Sequence, residues 1–180
     1  MAKKVLILSA SPRKKSNSDA MAQAFMEGAE KAGHSVEKIS LRDKTINFCK
    51  GCMACQKTKH CVQHDDAEGI AEKMRTADVI CFATPIYYYA VSGQLKTMLD
   101  RSNPLYPAEY SFRDIYLLAS SADKSPKAIE GAIKDIEGWV ACFKKSRLAG
   151  VVHGAGVTNE DDIKNRPDIV QKSRSLGGQC

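Results

Sequence analysis

The chain has 180 residues, of which 43% are hydrophobic and 27% charged, as in a globular protein with one core. Neither a membrane-spanning segment nor a signal peptide is indicated, because no apolar run is long enough and the N-terminal segment lacks a cleavage region. The net charge of +6 comes from scattered lysines rather than a basic arm, which argues against nucleic-acid binding. We therefore expect one cytoplasmic domain over residues 1–180, without membrane or nucleic-acid partners.

The first part of the chain predicts a strand, a helix and a second strand. Residues 5–8 form a continuous apolar run, which is typical of a strand buried on both faces. A helix is predicted from Asn17 to about Lys31, with Gly33 as its stop signal. Residues 35–41 alternate apolar and polar side chains, which indicates a less buried edge strand.

The rest of the chain continues this alternation after an irregular, cysteine-rich insertion at about residues 47–64. Strands are predicted at residues 79–83, 115–119 and 148–152. Helices are predicted around three apolar sets and in the polar tail from about residue 159; the sets are Ala67, Ile70, Ala71 and Met74; Val91, Leu95, Met98 and Leu99; and Ile129, Ile133, Ile136 and Val140. The pattern predicts an α/β fold, a flavodoxin-like three-layer sandwich with a five-stranded parallel sheet in the order 2-1-3-4-5.

The loop after the first strand reads SASPRKKSNSDA and leads directly into a predicted helix. Its hydroxyl and amide groups come from Ser9, Ser11, Ser16, Asn17 and Ser18. Together with the backbone N–H groups and the positive dipole end of the helix, such donors form a site for an anion. The loop has neither the Walker A pattern nor G-x-G-x-x-G, so a phosphate monoester held end-on is the expected ligand. A serine-rich turn with a helix cap is the alternative interpretation.

The loop after the third strand reads ATPIYYYAVSGQLKTMLDR. Pro85 is expected to end the strand, and three consecutive tyrosines follow it. Aromatic rings at the carboxyl end of such a strand can pack beside a planar heterocycle. The alternative is that Tyr87, Tyr88 and Tyr89 form a subunit interface, and the two roles are compatible.

These two loops together resemble those of NADPH-dependent FMN reductases and iron–sulfur flavoproteins of the flavodoxin-like superfamily. The resemblance covers residues 1 to about 120, with weaker support through the last strand. It implies that the FMN phosphate is bound by Ser9, Ser11, Pro12, Arg13, Ser16, Asn17 and Ser18. It also implies that the flavin ring lies against Thr84, Pro85, Ile86, Tyr87 and Tyr88, and that its far edge meets Ser120 and Ser121. Relatives often carry a glycine-rich turn at residues 120–123, which this chain lacks.

The segment CKGCMACQKTKHC contains four cysteines with the spacing C-x2-C-x2-C-x5-C. It resembles the compact motif of iron–sulfur flavoproteins, which implies that a [4Fe–4S] cluster is ligated by Cys49, Cys52, Cys55 and Cys61. Three other interpretations stay open: a zinc site, a redox dithiol at Cys52 and Cys55, and thiols that line a loop without any metal.

For several further residues the sequence favours a structural role. Cys81 lies in a buried strand and is expected to pack in the core, whereas Cys180 ends a tail that is expected to be flexible. Asp65 and Asp66 are expected to cap the helix that follows. His153 follows the last strand and either lies near the flavin edge or simply terminates the strand.

The resemblance implies an FMN-dependent oxidoreductase in which NAD(P)H reduces the flavin. The flavin would then reduce a quinone, free flavin, another small electrophile, or a protein such as a ferredoxin. No side chain is assigned a catalytic role, because the cofactor carries the chemistry. The alternative is a non-catalytic electron-transfer or redox-sensing protein. A homodimer or tetramer is implied by resemblance alone.

Overall fold

The computed structural model describes residues 1–180, and its centre is one sheet of six strands. The strands are β1 (Lys4–Ser9), β2 (Ser35–Ser40), β3 (Val79–Tyr87), β4 (Ala90–Val91), β5 (Asp114–Ser121) and β6 (Arg147–Ala155). Five are parallel in the order β2-β1-β3-β5-β6, and β4 pairs antiparallel with the end of β3. The predicted flavodoxin-like α/β sheet is confirmed, but its count of five strands is wrong, because β4 adds a sixth. Val91, predicted to be helical, lies in β4.

Helices cover both faces of the sheet, as predicted. They are α1 (Asn17–Lys31), α2 (Cys55–Thr58), α3 (Asp66–Thr76), α4 (Gly93–Arg101), α5 (Glu130–Ala141) and α6 (Pro167–Gly177). Val5 and Ile7 pack with α1 and α6, whereas Leu6 and Leu8 pack with α3, α4 and α5. A continuous apolar run is therefore what β1 requires, since successive side chains point to opposite faces. None of the helices is both long and apolar enough to cross a membrane.

Pro85 does not end β3, contrary to expectation. The strand continues to Tyr87, and Pro85 is paired with Ser120 of β5. The carbonyl of Ala83 accepts from the N–H of Ala10. The backbone N–H and C=O groups of every second residue of β3, counted from Ala83, therefore point toward β1. Because β1 has already ended there, the missing N–H of Pro85 breaks no hydrogen bond of the ladder.

The C-terminal residues are ordered rather than a flexible tail. Cys180 is buried in the core beneath α1 and α6, and its carbonyl lies 2.9 Å from Nε2 of His34. Helices α1 and α6 cross closely enough that a Cβ added at Gly28 would lie 2.0 Å from the carbonyl oxygen of Arg174. Glycine at this position therefore sets the distance between the two helices.

We expect Gly28→Ala to lower the free energy of unfolding by about 1–3 kcal/mol, because the new methyl group overpacks a contact with backbone atoms. Gly138→Ala is the matched control, since a Cβ at that exposed position of α5 meets nothing within 4 Å. It should raise the free energy by about 0.5–1 kcal/mol through helix propensity alone. Urea unfolding of both variants tests the close crossing, and equal effects would contradict it.

Candidate functional site

A cleft lies at the carboxyl ends of β1, β3 and β5, where the two predicted ligand loops meet. It is lined by Ser11, Arg13, Ser16, Asn17, Pro85, Ile86, Tyr87, Ser120, Ala122, Val157 and Thr158. Eight of these were predicted as cofactor-binding residues from the sequence. Ala122, Val157 and Thr158 were not, although the loop after β6 had to reach the same edge of a parallel sheet.

The start of α1 presents free donors to this cleft. Ser16 is the N-cap residue, and its hydroxyl accepts from the N–H of Asp19 at 3.2 Å. The backbone N–H groups of Asn17 and Ser18 have no acceptor within the protein. With the dipole of a 15-residue helix behind them, these groups can bind an anion.

The Asn17 side chain has a structural role. Its Nδ2 donates to the carbonyl of Asn159 at 2.9 Å, and its Oδ1 accepts from the N–H of Ile163 at 3.0 Å. Arg13 reaches the same loop and donates to the carbonyl of Thr158 at 2.7 Å. The anion-binding loop and the loop after β6 are therefore fixed to each other.

Six predicted residues do not line the cleft: Ser9, Pro12, Ser18, Thr84, Tyr88 and Ser121. Thr84 is buried and accepts from the N–H of Ser92 at 3.0 Å, while the Ser92 hydroxyl donates to the carbonyl of Ala10 at 3.3 Å. Thr84 thus joins the ends of β1 and β3 to the start of α4 from behind the cleft.

Ser121 faces His153 instead of the cleft. Its hydroxyl donates to the carbonyl of Asp123 at 2.7 Å and lies 2.7 Å from Nε2 of His153. Burial lowers the pKa of His153, and the nearby Asp123 carboxylate only partly offsets this effect, so the ring is neutral at pH 7. Because the hydroxyl hydrogen of Ser121 is donated to the Asp123 carbonyl, the hydroxyl oxygen of Ser121 accepts from Nε2–H of His153. The pair holds the end of β5, which carries Ser120, in place.

The four cysteines of the insertion surround a separate, small cavity. It has a volume of about 20 Å³ and is lined by Cys49, Lys50, Cys52, Met53, Cys55, Cys61, Val62, Gln63, Asp100, Arg101, Asn103 and Pro104. Nδ2 of Asn103 donates to the Cys55 sulfur at 3.3 Å. No three His, Cys, Asp or Glu side chains converge closely enough to hold a metal ion in this structure. The structure thus places the four thiols around one cavity, but not close enough together to bind one metal ion.

A buried ion pair fastens the cysteine insertion to the core. The guanidinium of Arg101 bonds to both carboxylate oxygens of Asp65, at 2.6 and 2.8 Å, and donates to the carbonyls of Asn47 and Gln63. The side chains of Arg101 and Asp65 are 0% and 3% exposed. Asp65 also caps α3 by accepting from the N–H of Ala67, as predicted.

Burial raises the pKa of the Asp65 carboxyl, but hydrogen bonds from Arg101, Asn47 and Ala67 outweigh burial and hold it well below its usual range. Asp65 is therefore charged at any physiological pH. The pair closes the insertion at both ends, at Asn47 and at Gln63. Nothing in the sequence pattern pointed to this pairing, since Asp65 reads as a helix cap and Arg101 as an ordinary last-turn cation.

A known protein family matches most of this chain. The family described as NADPH-dependent FMN reductase matches residues 3–140, which include β1, β3 and β5 and the loops after them that line the cleft. The chain belongs to the NADPH-dependent FMN reductase family. The predicted family is thereby confirmed.

Two relatives named iron–sulfur flavoprotein match the chain to different extents. An iron–sulfur flavoprotein of Methanosarcina thermophila is 31% identical over 177 residues, which are 96% of this chain and 93% of that protein. An iron–sulfur flavoprotein of Archaeoglobus fulgidus is 38% identical over 94 residues, 52% of this chain and 43% of that protein. The chain spans about half the length of this relative and of two further ones.

Among solved structures, the NAD(P)H:quinone oxidoreductase from Methanothermobacter marburgensis superposes with a TM-score of 0.75. The superposition covers 99% of this chain and 97% of that one at 20% sequence identity. At this identity the likeness establishes the fold alone.

A strained tyrosine hairpin connects β3 to β4 beside the cleft, which Tyr87 lines. Tyr88 and Tyr89 have φ angles of 49° and 63°, in the left-handed region that two-residue hairpins usually fill with Asn-Gly. The Tyr89 hydroxyl donates to the Asp123 carboxylate at 3.2 Å, and a Cβ added at Gly131 of α5 would lie 2.1 Å from the Tyr89 carbonyl oxygen. The side chain of Tyr88 is fully exposed. The hairpin is thus held by α5 and Asp123, while Tyr88 contributes strain without contacts.

We expect Tyr88→Asn to raise the free energy of unfolding by about 1 kcal/mol, because asparagine tolerates a positive φ and no side-chain contact is lost. Tyr106→Asn is the control, since Tyr106 is also exposed but has an ordinary φ of −59°. It should bring no gain. Urea unfolding decides the matter, and a loss of stability in Tyr88→Asn would show that the tyrosine is held by packing instead.

Proposed function

We propose that this protein is an FMN-dependent oxidoreductase that uses NAD(P)H to reduce a quinone or another small acceptor. The observation that carries the proposal is the cleft at the carboxyl edge, where an anion-binding helix start faces an apolar wall in a chain of the FMN reductase family. FMN needs both parts, since its phosphate is anionic and its ring is flat and largely apolar.

The cleft residues fit FMN in kind. Ser11 and Ser16, with the free N–H groups of Asn17 and Ser18, would bind the phosphate. Pro85, Ile86 and Tyr87 would lie against the ring, and Ser120 and Ala122 would meet its edge; all five line the same cleft. When bound, FMN supplies the redox chemistry by accepting hydride from the nicotinamide and passing electrons on. The role of the protein would be to bind and orient both reactants.

We also propose that the cysteine insertion holds an iron–sulfur cluster through Cys49, Cys52, Cys55 and Cys61. The support is the chemistry of the donor set, because four thiols line one cavity together with the N–H donors of Arg101 and Asn103. A relative that matches 96% of the chain is named an iron–sulfur flavoprotein.

The cavity must widen to hold a cluster, because its present volume accommodates about one water molecule. Residues 48–62 can rearrange without moving the core, since the Arg101–Asp65 pair fastens the insertion at Asn47 and Gln63. The backbone between these points is irregular except for the four-residue helix α2. The cluster would supply one-electron transfer.

Apolar side chains around the cysteines favour a protein as a second electron partner. Phe48, Met53 and Val62 are exposed large hydrophobic residues of the insertion, and Phe48 is 79% exposed. Lys50, Lys57 and Lys59 add positive charge to the same segment. An acidic, ferredoxin-like carrier would match both properties. A non-catalytic electron-transfer or redox-sensing role is the second candidate on this ground.

The function is tested with protein that is purified anaerobically. We expect a flavin absorption spectrum, iron and sulfide in equal amounts, and oxidation of NADPH or NADH with a quinone as acceptor, well above the rate with free FMN at equal concentration. Bound flavin without turnover would favour the carrier or sensor. Absence of flavin binding after addition of FMN would contradict the proposal as a whole, whereas flavin without iron would contradict only the cluster.

The phosphate-binding role of Ser11 predicts a difference between two flavins. Ser11→Ala should weaken FMN binding about tenfold, as expected for one lost hydrogen bond to a charged group worth about 1.5 kcal/mol. Riboflavin, which has no phosphate, should bind equally well to both proteins. Ser175→Ala, at an exposed position of α6, is the control. Titration followed by flavin fluorescence measures the dissociation constants, and an equal loss for both flavins would show that the loop itself is disturbed.

A further inference from the structure

One buried side-chain polar atom has no hydrogen-bond partner, and it belongs to Arg101. The four terminal N–H bonds of the guanidinium go to Asp65, Asn47 and Gln63. The remaining donor, Nε–H, is the only buried side-chain nitrogen or oxygen without a hydrogen bond. Folded proteins rarely bury a charged group's donor in this way, because the lost hydration is not replaced. An acceptor is therefore missing next to Nε.

The surroundings of Arg101 indicate which acceptor is missing. Arg101 lines the cavity that all four cysteines of the insertion share. Burial lowers the pKa of Arg101, but its bonds to Asp65 and the proximity of Cys61 and Asp65 outweigh burial and raise it. Asn103, which lines the same cavity, already donates from Nδ2 to the Cys55 sulfur. Both carboxylate oxygens of Asp65 already accept from the terminal N–H groups, so the Cys61 sulfur, the other side chain that acts directly on Arg101, remains able to accept from Nε–H.

We propose that the Nε–H of Arg101 donates a hydrogen bond to the sulfur of Cys61 when the four cysteines hold their cluster, and that Arg101 thereby positions the fourth ligand. The inference rests on the proposed function, because it needs a thiolate at Cys61. Arg101 is a positioning residue: it fastens the insertion through four N–H bonds and orients one sulfur through the fifth. A lysine cannot replace it, since its three donors share one atom.

The proposal has a consequence for electron transfer. Reduction of a cluster adds negative charge, and a buried cationic donor beside one of its sulfurs stabilises that charge. Loss of the bond should therefore lower the reduction potential as well as the affinity for iron. A tenfold loss in the preference for the reduced state corresponds to about 59 mV for a one-electron couple.

The test compares Arg101→Lys and Arg101→Gln with unaltered protein after anaerobic reconstitution with iron and sulfide. FMN content reports folding, since the cysteine cavity and the FMN cleft share no lining residue. We expect both variants to keep FMN, to lose iron to a chelator at least tenfold faster, and to have a lower midpoint potential. Arg75→Gln is the matched control, because Arg75 is an exposed arginine of α3 that pairs with Glu72. It should leave all three quantities unchanged.

Two results would overturn the inference. If Arg101→Lys retains FMN and also the iron retention and potential of the unaltered protein, Arg101 is no ligand-positioning residue. If the unaltered protein binds FMN but takes up no iron, the cluster proposal fails and the inference fails with it, while the flavin function stands.

If the variants also lose FMN, the unaltered protein still decides the question. With ¹⁵N-labelled arginine, one Nε–H signal should resist solvent exchange and shift when the cluster is loaded. Cys61→Ser, which keeps Arg101 and its four other bonds, should abolish that shift. A shift that persists in Cys61→Ser, or the absence of any protected Nε–H signal, would overturn the inference.

Discussion

Burial of the parallel sheet on both faces is the constraint on which the remaining structure depends. Ile7 and Leu8 point to opposite faces and are both completely buried. With helices on both sides, no polar group can reach a ligand through either face of the sheet. Polar side chains can therefore gather only where strands end, and β1, β3 and β5 end beside one another. The serine loop and the tyrosine loop, more than sixty residues apart in the chain, meet there for this reason.

The Arg101–Asp65 pair fixes the position of the cysteine insertion, as the sheet fixes the position of the cleft. A buried pair gains little net stability, because removing two charges from water offsets most of their attraction. Its effect is geometric, since one guanidinium holds both ends of an irregular segment. Within that segment Met53 and Lys59 have positive φ angles, a conformation that costs about 1 kcal/mol or more per residue. Such strain persists because the ends are fixed.

The sequence predicted the features that depend on periodicity or on local chemistry. Apolar runs, and alternation in the case of β2, predicted the five parallel strands, and the clustered serines predicted a loop that lies at the cleft. Contacts between distant residues were not predictable in this way. The two-residue strand β4 is too short for any pattern, and Arg101 looks like an ordinary surface cation until Asp65 is placed against it. Cys180 was predicted to be flexible because the glycines that precede it suggest an unstructured tail, but it is buried in the core beneath α1 and α6.

Helix α4 connects the two candidate sites. Its N-cap, Ser92, is bonded to Thr84 and to the carbonyl of Ala10, which lie behind the cleft proposed to bind FMN. Its last residue, Arg101, lies in the cysteine cavity, about 13–14 Å from Ser92 at the rise of an α-helix. Trp139 of α5 also bonds to Ser102, so the end of α4 is fixed to the core. A short helix anchored at both ends keeps the two candidate sites at a constant separation, as the proposed electron transfer between a flavin and a cluster would require.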